Sequence, residues 1–287
     1  AAVKDFFRPK WEDLHDPFLM QDMRAAVERI NTAIAKEEKI MVFGDYDVDG
    51  TTSVALMTSF LLNLTNQVTP YIPDRYKEGY GVSYQGIDHA ASLGISLIVA
   101  LDCGVKAVDK VAYAKDKGID FIICDHHLPG EALPAAVALL DPKRQDCSYP
   151  FDELCGCGIG FKLIQAITIN RAMDTEILPP YLDFVATAIA ADIVPMVGEN
   201  RTLSFFGLAQ LRNNPRPGIS VFLESLKKQV SITDLVFKVA PRINAAGRMD
   251  HALKAARLLM CKTKEEATLL ALPIETLNTN RRATDEQ

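Results

Sequence analysis

Ile40-Met41-Val42-Phe43-Gly44-Asp45-Tyr46-Asp47-Val48-Asp49-Gly50-Thr51-Thr52-Ser53 joins a short apolar run to three acids at alternate positions. Four consecutive apolar residues followed by glycine and acids read as a buried strand that ends at Gly44. Carboxylates placed two residues apart at such an end repel one another unless a cation lies among them, and hard oxygen ligands select Mg²⁺ or Mn²⁺ over softer metals. Gly50 is expected to turn the backbone sharply into a helix. A calcium loop is the other metal reading of Asp45-x-Asp47-x-Asp49-Gly50, but the glutamate it needs at its twelfth position would fall on Leu56. Each acid alone also suits a helix N-cap, most seriously Asp49 before Gly50-Thr51-Thr52.

The arrangement recurs. Leu97-Ile98-Val99-Ala100-Leu101 precedes Asp102, Phe121-Ile122-Ile123-Cys124 precedes Asp125-His126-His127, and Ala188-Ile189-Ala190-Ala191 precedes Asp192. From residue 39 to 141, strand-like runs (40–43, 69–72, 97–101, 120–124, 137–140) alternate with helix-like stretches near 51–63 and 105–117, which predicts an α/β fold with a parallel sheet and helices on both faces. In such open sheets the crevice beyond the carboxyl ends of the strands gathers residues distant in sequence. Ahead of the sheet, the apolar spacing of 18–36 predicts one amphipathic helix. After residue 158 the pattern turns helical, with helices expected near 160–172, 179–191, 202–211, 217–227, 250–260 and 264–272, separated by prolines.

Taken in order, Asp45-Tyr46-Asp47-Val48-Asp49-Gly50, Leu101-Asp102-Cys103-Gly104, Asp125-His126-His127 and Ala191-Asp192-Ile193-Val194-Pro195 resemble the four motifs of the DHH phosphoesterase superfamily. Within it, Asp74-Arg75-Tyr76-Lys77-Glu78-Gly79-Tyr80-Gly81, Gly156-Cys157-Gly158-Ile159-Gly160-Phe161-Lys162-Leu163 and Pro241-Arg242-Ile243-Asn244-Ala245-Ala246-Gly247-Arg248-Met249 are similar to segments of the RecJ exonucleases. The resemblance implies a metal-dependent nuclease that removes nucleotides from the 5′ end of single-stranded DNA in repair and recombination. It implies two cations, Mn²⁺ or Mg²⁺, with Asp47 and Asp49 each holding one, Asp102 bridging, and His126 and Asp192 completing the set. Asp45 is included as a ligand, although many superfamily members carry histidine there. The divisions it suggests are an N-terminal extension (1–38), a metal-binding α/β core (39–195), a helical part (196–270) and the start of a linker helix (271–287). The polar end of the chain has no capping glycine or proline, which suggests a chain cut short, and the resemblance implies continuation into a DHHA1-type domain and an oligonucleotide-binding fold.

Side chains alternate along an extended chain, so His126 and His127 should face apart. His126 is the expected ligand, His127 the residue reaching a phosphate or acting as an acid near the leaving group. Asp125 reads equally well as the carboxylate that orients an imidazole and as a turn residue. Arg75, Arg242 and Arg248 are expected phosphate clamps, because a guanidinium grips phosphate with paired hydrogen bonds. The small residues of Asn244-Ala245-Ala246-Gly247 should let a nucleic-acid strand approach closely, and the glycines 156, 158 and 160 precede a helix whose N-terminus favours anions.

A net charge of −6 looks wrong for a nucleic-acid enzyme, yet residues 201–287 hold 14 Lys and Arg against 8 Asp and Glu, while residues 1–200 hold 17 against 29. Bound cations would cancel part of the acidic excess, and the basic part could meet phosphates. With 48% hydrophobic and 24% charged residues the chain is ordinary for a globular protein. No apolar run approaches the ~20 residues that cross a bilayer, and Ala1-Ala2-Val3-Lys4-Asp5-Phe6-Phe7 has no signal-peptide core, so a cytoplasmic monomer is expected. Six cysteines without ligand spacing fit a reducing compartment, and Cys155-Gly156-Cys157 reads as small residues in a glycine loop. Expected partners are single-stranded DNA and, by resemblance, repair proteins such as a single-strand-binding protein or a helicase. The alternatives keep the chemistry on oligoribonucleotides, cyclic dinucleotides or pyrophosphate, or lose catalysis and keep binding.

Overall fold

A computed structural model describes residues 8–285 except 225, 227, 250 and 251. Five strands, β1 (Lys39–Gly44), β2 (Val68–Tyr71), β3 (Ile95–Leu101), β4 (Asp120–Cys124) and β5 (Ala138–Leu140), form one sheet in the order β2-β1-β3-β4-β5. Every pairing is parallel. The strand order reverses direction between β1 and β3, whose carboxyl ends carry Asp45 and Asp102, and this is where open α/β sheets form their ligand crevice.

Alternate strand residues feed two separate cores. Ile40, Val42, Leu97, Val99, Leu101, Ile122, Cys124 and Leu140 join the larger. Met41, Phe43, Ile98, Ala100, Phe121, Ile123 and Leu139 join the smaller. Burial on both faces explains why the strands read as unbroken apolar runs rather than as alternating ones.

On the larger face lie α1 (Met23–Ala35), α2 (Val48–Leu61), α5 (Gly156–Asn170) and α6 (Leu182–Asp192). On the smaller lie α3 (Tyr84–Ser92) and α4 (Val108–Asp116). Nearly all of α2 is buried, because α5, α6 and a later helix, α10 (Ala252–Met260), pack around it. A helix that is apolar on all sides belongs in such a position.

The rest is helical: α7 (Gly198–Asn213), α8 (Pro217–Leu223), α9 (Ala240–Met249), α10 and α11 (Lys264–Asp285), with a π-helical turn at Leu235–Val239 leading into α9. Leu203, Ile219, Ile243, Leu258 and Ile274 share the larger core, so this part packs on the sheet's own core.

Several expectations are corrected. The helix expected over 18–36 begins only at Met23, because Pro17–Leu19 forms a 3-10 turn and Asp22 adopts a left-handed backbone at φ 64°. No helix was expected at 84–92. Ser83 caps it by accepting from the Gly86 N–H at 2.9 Å, and a side chain at position 86 would strike Phe43, 2.8 Å from an added Cβ. That glycine, which weakens the helix signal, permits the close packing. The helix expected to stop at 272 runs through Pro273 to Asp285, held by packing on α8 and α9 that outweighs the lost backbone hydrogen bond. The position 270/271 therefore falls inside one continuous helix.

Candidate metal centre

Three acids that alternate in sequence take three different structural roles. Asp45 continues from β1 and is fully buried; its Oδ1 accepts from the Gly81 N–H at 3.1 Å, while Oδ2 has no hydrogen-bond partner among the described residues. Asp47 is the N-cap of α2 and accepts from the Gly50 N–H at 2.9 Å. Asp49 sits inside the first turn of α2, so the cap reading belongs to Asp47 rather than Asp49. Gly50 lies in that same turn and not before it; an added Cβ would come within 2.4 Å of the Asp45 carbonyl oxygen.

The carboxylate of Asp49 points across to the start of α5. Its oxygens accept from the backbone N–H groups of Gly156 at 2.6 Å and Cys157 at 2.8 Å. The anion-favouring helix end expected near 161 is real, but it begins at 156 and is occupied by a protein carboxylate. Gly156 is required because an added Cβ would lie 2.6 Å from the Asp102 Cβ. Lys162, two turns further along α5, is wholly buried and holds the helix in place by donating to the His15 carbonyl at 2.6 Å and to Glu199 at 3.1 Å.

Asp102 stands past the end of β3 with φ 59°, a left-handed backbone that aspartate tolerates better than most residues and that recurs at functional sites. His126 follows β4. Its Nε2 lies 3.2 Å from Asp102, 3.6 Å from Asp192 and 3.8 Å from Asp49. Asp192 closes α6 just before Ile193, which turns left-handed at φ 58°. A carboxylate at the negative end of a helix gains nothing from the helix dipole and needs a cation nearby.

Ligand atoms of Asp49, His126 and Asp192 all lie within 4.8 Å of one another, and so do those of Asp102, His126 and His127. The structure brings these five residues together. Asp47 lines a small cleft of about 50 Å³ with Asp49, Asp192 and Asn244. Asp45 belongs to neither of the two converging groups among the described residues.

Electrostatics follow from this crowding. Burial, then the charge of Asp47, raises Asp45 to about 7. Burial, then Asp192 and Asp47, raises Asp49 to about 7, and burial with Asp47 lifts Asp192 to about 6. Burial and the neighbouring Asp49 push Asp102 well above the ordinary carboxylate range. Burial, then His127, lowers His126 to about 4, so at neutral pH its imidazole is uncharged and presents a lone pair. The ring can turn that lone pair on Nε2 toward a cation held among the three carboxylates. The donor set, four carboxylates and an imidazole, fits Mg²⁺ or Mn²⁺.

His127 does not face away from His126 as alternation predicts: the chain bends after β4 and sets the two rings 4.6 Å apart. The His127 Nδ1 meets Asp125 Oδ1 at 2.7 Å and its Nε2 lies 3.3 Å from the Tyr80 hydroxyl. The hydrogen bond with Asp125 raises its pKa. Asp125 fulfils both of its expected roles: it orients the His127 ring, and it accepts the backbone N–H groups of Val105, His126 and His127. Burial pushes Asp125 up, but the bond from His127 and the backbone donors bring it below its ordinary value.

Of the expected phosphate contacts, Arg75 is exposed and its guanidinium lies over the Tyr46 ring at 5.1 Å. Arg242 is engaged by protein: it bonds Glu275 at 2.5 Å and the Lys238 carbonyl at 2.6 Å. The side chain of Arg248 lies outside the described residues. The small residues around Asn244 form α9, and what approaches them is the metal loop itself. An added Cβ at Gly247 would lie 2.4 Å from the Tyr46 carbonyl oxygen. Gly247→Ala is therefore expected to destabilise the fold by about 1–3 kcal/mol, read as a lower Tm in calorimetry. An unchanged Tm would mean that α9 does not bear on the loop.

Two nearby residues escape the sequence reading. Tyr80 donates to the Asp102 carbonyl at 3.2 Å. Asp141, fully buried after β5, obeys the rule of an acid ending an apolar run and could have been found by it.

The DHH family, N-terminal domain, matches residues 39–189. The single-stranded-DNA-specific exonuclease RecJ of Bacillus subtilis (strain 168) is 41% identical over 283 residues, covering 98% of this chain and 35% of that protein. A crystal structure of exonuclease RecJ bound to manganese superposes with a TM-score of 0.86 at 30% identity, covering 93% of this chain and 68% of that one. RecJ of Thermus thermophilus in complex with Mn²⁺ superposes with a TM-score of 0.85 at 27% identity, covering 99% of this chain and 41% of that one. The chain thus spans 35% to 49% of the length of the first curated relatives it matches. With its motifs set around one crevice in the same fold, the chain belongs to the DHH family, on its RecJ branch.

Proposed function

We propose that this chain carries the catalytic centre of a metal-dependent exonuclease acting on single-stranded DNA from the 5′ end. The observation that carries the reading is the convergence of Asp49, Asp102 and Asp192 on the Nε2 of His126. Asp47, Asp49, Asp102, His126 and Asp192 would hold two ions, Mn²⁺ or Mg²⁺, with Asp45 behind them. The relatives named for manganese complexes support that choice. Two such cations would supply an activated water and neutralise charge on the leaving oxygen.

The protein's own part is positioning. The N-terminus of α5 fixes Asp49, the left-handed turn aims Asp102, and Asp125 sets the His127 ring so that its Nε2 can face a phosphate oxygen or protonate a leaving group. Asn244 borders the same cleft as Asp47 and Asp192 and would meet substrate there. Arg75, with Arg248 on α9, would bind the backbone phosphates; Arg242, paired with Glu275, would join them only by exchanging that carboxylate for a phosphate. Among the described residues no helix is long and apolar enough to cross a membrane. All six cysteines are free, which suits the reducing cytoplasm. A monomer working beside a single-strand-binding protein or a helicase completes the reading.

Digestion of 5′-labelled single strands and short oligonucleotides with Mn²⁺, and again with chelator, tests it. Release of mononucleotides that the chelator stops is expected; metal-independent cleavage, or none on any single strand, would overturn it. Arg75→Ala should weaken single-strand binding regardless of base sequence and flatten its salt dependence by roughly 0.7 per lost phosphate contact. An unchanged slope would remove Arg75 from the interface.

A further inference from the structure

A cavity of about 450 Å³ opens beside the metal centre and belongs to none of the roles above. Leu128, directly after His127, lines it together with Pro129 and Leu133, and Glu131, Lys143 and Gln145 add polar groups to the lining. Leu128 is 69% exposed, an apolar side chain held in water at the rim of a charged crevice. The volume lies within the range of small-ligand sites, which pair apolar walls with a few polar groups.

Lys143 connects this cavity to the chemistry. It lines the cavity, and it follows β5, the strand paired with the β4 that leads into His126 and His127. The loop that carries it is fixed, since the Lys143 N–H donates to Asp141 Oδ1 at 2.8 Å. Its neighbour Arg144 is committed to the fold, donating to Asp22 at 2.6 Å and to Asp146 at 2.9 and 2.6 Å. Lys143 has no such ion pair among the described residues. A cation lining a partly apolar recess that begins directly after His127 suits a ligand with a phosphate at one end and a flat apolar body at the other.

We propose that this cavity is a nucleotide subsite, taking the base and sugar of the nucleotide next to the scissile phosphate against Leu128 and Leu133 while Lys143 contacts its phosphate. The inference rests on the exonuclease reading and deepens it. It explains why an apolar side chain follows the two histidines: the base is withdrawn from water as the phosphate reaches His127. Contacts to the face of a base are sequence-tolerant, as an exonuclease requires.

The test is a coupling measurement on the Mn²⁺-loaded protein. Single strands carrying one abasic site, or one uncharged methylphosphonate linkage, stepped along the digested end, are assayed for kcat/KM with the unaltered chain, Leu128→Asp and Lys143→Gln. At one position among the first few nucleotides, base removal should cost about tenfold with the unaltered chain, roughly one decade or ~1.4 kcal/mol. With Leu128→Asp the same removal should cost nothing further. The methylphosphonate should couple to Lys143→Gln in the same way. Independent, multiplying losses at every position, with digestion of unmodified strands intact, would overturn the subsite and leave the exonuclease reading standing. Failure of the unaltered chain to digest any single strand would overturn that reading and the subsite with it.

Discussion

Replacing Asp102 with alanine is expected to abolish metal-dependent hydrolysis, by about 10³-fold or more, or at least ~4 kcal/mol of transition-state stabilisation, while the fold survives. Asp102 is 1% exposed, lies 3.2 Å from the His126 Nε2 and is crowded by Asp49. A carboxylate so placed gives its charge to whatever cation sits there, and its loss leaves the remaining ligands unable to hold a pair. The same crowding makes the metal-free protein less stable, so Asp102→Ala should keep or raise its Tm.

The sign of the pH dependence follows. Asp45 and Asp49 titrate at about 7 and Asp192 at about 6 in the folded chain, all above the ordinary carboxylate value. Between about pH 4 and pH 7 the unfolded chain has therefore released protons that the folded chain retains, so stability without metal falls as pH rises through that window. Saturating Mn²⁺ should flatten or reverse the trend. Near-normal turnover by folded Asp102→Ala, or a metal-free Tm that rises between pH 4 and pH 7, would contradict this account.

The adjacent histidines give the second large effect. His126→Ala should weaken manganese binding, because its Nε2 faces three of the acids and its low pKa leaves it uncharged. His127→Ala should slow turnover with metal affinity much less altered, and should shift the acidic or basic limb of the pH–rate profile, since its Nδ1 is tied to Asp125 and its pKa is raised. His127 also lies within reach of the Asp102 and His126 group, so its loss should change affinity modestly. Calorimetric manganese titrations of both variants decide the matter. A reversed ranking would mean that the two roles are exchanged.

The sheet was legible because β1, β3, β4 and β5 are buried and leave unbroken apolar signatures, while β2, half-buried throughout, carries Thr69 and Pro70. The acids and imidazole were legible because they follow those signatures. What escaped was set by contacts far along the chain. Nothing local in Cys155-Gly156-Cys157 says that its backbone N–H groups hold Asp49, more than a hundred residues earlier. The helix over Ala240–Met249 is masked by Pro241 and Gly247, residues that punctuate most helices, and Gly247 is there because Tyr46 leaves no room for a side chain. Charge counting gave a basic second part, yet Arg242 is spent on Glu275. Only coordinates distinguish a paired arginine from one open to a phosphate.

The most direct test of the central claim is anomalous diffraction from crystals of the protein grown with Mn²⁺. Two peaks about 4 Å apart are predicted, enclosed by Asp47, Asp49, Asp102, His126 and Asp192. Peaks elsewhere, or no manganese among these side chains at saturating concentration, would contradict it.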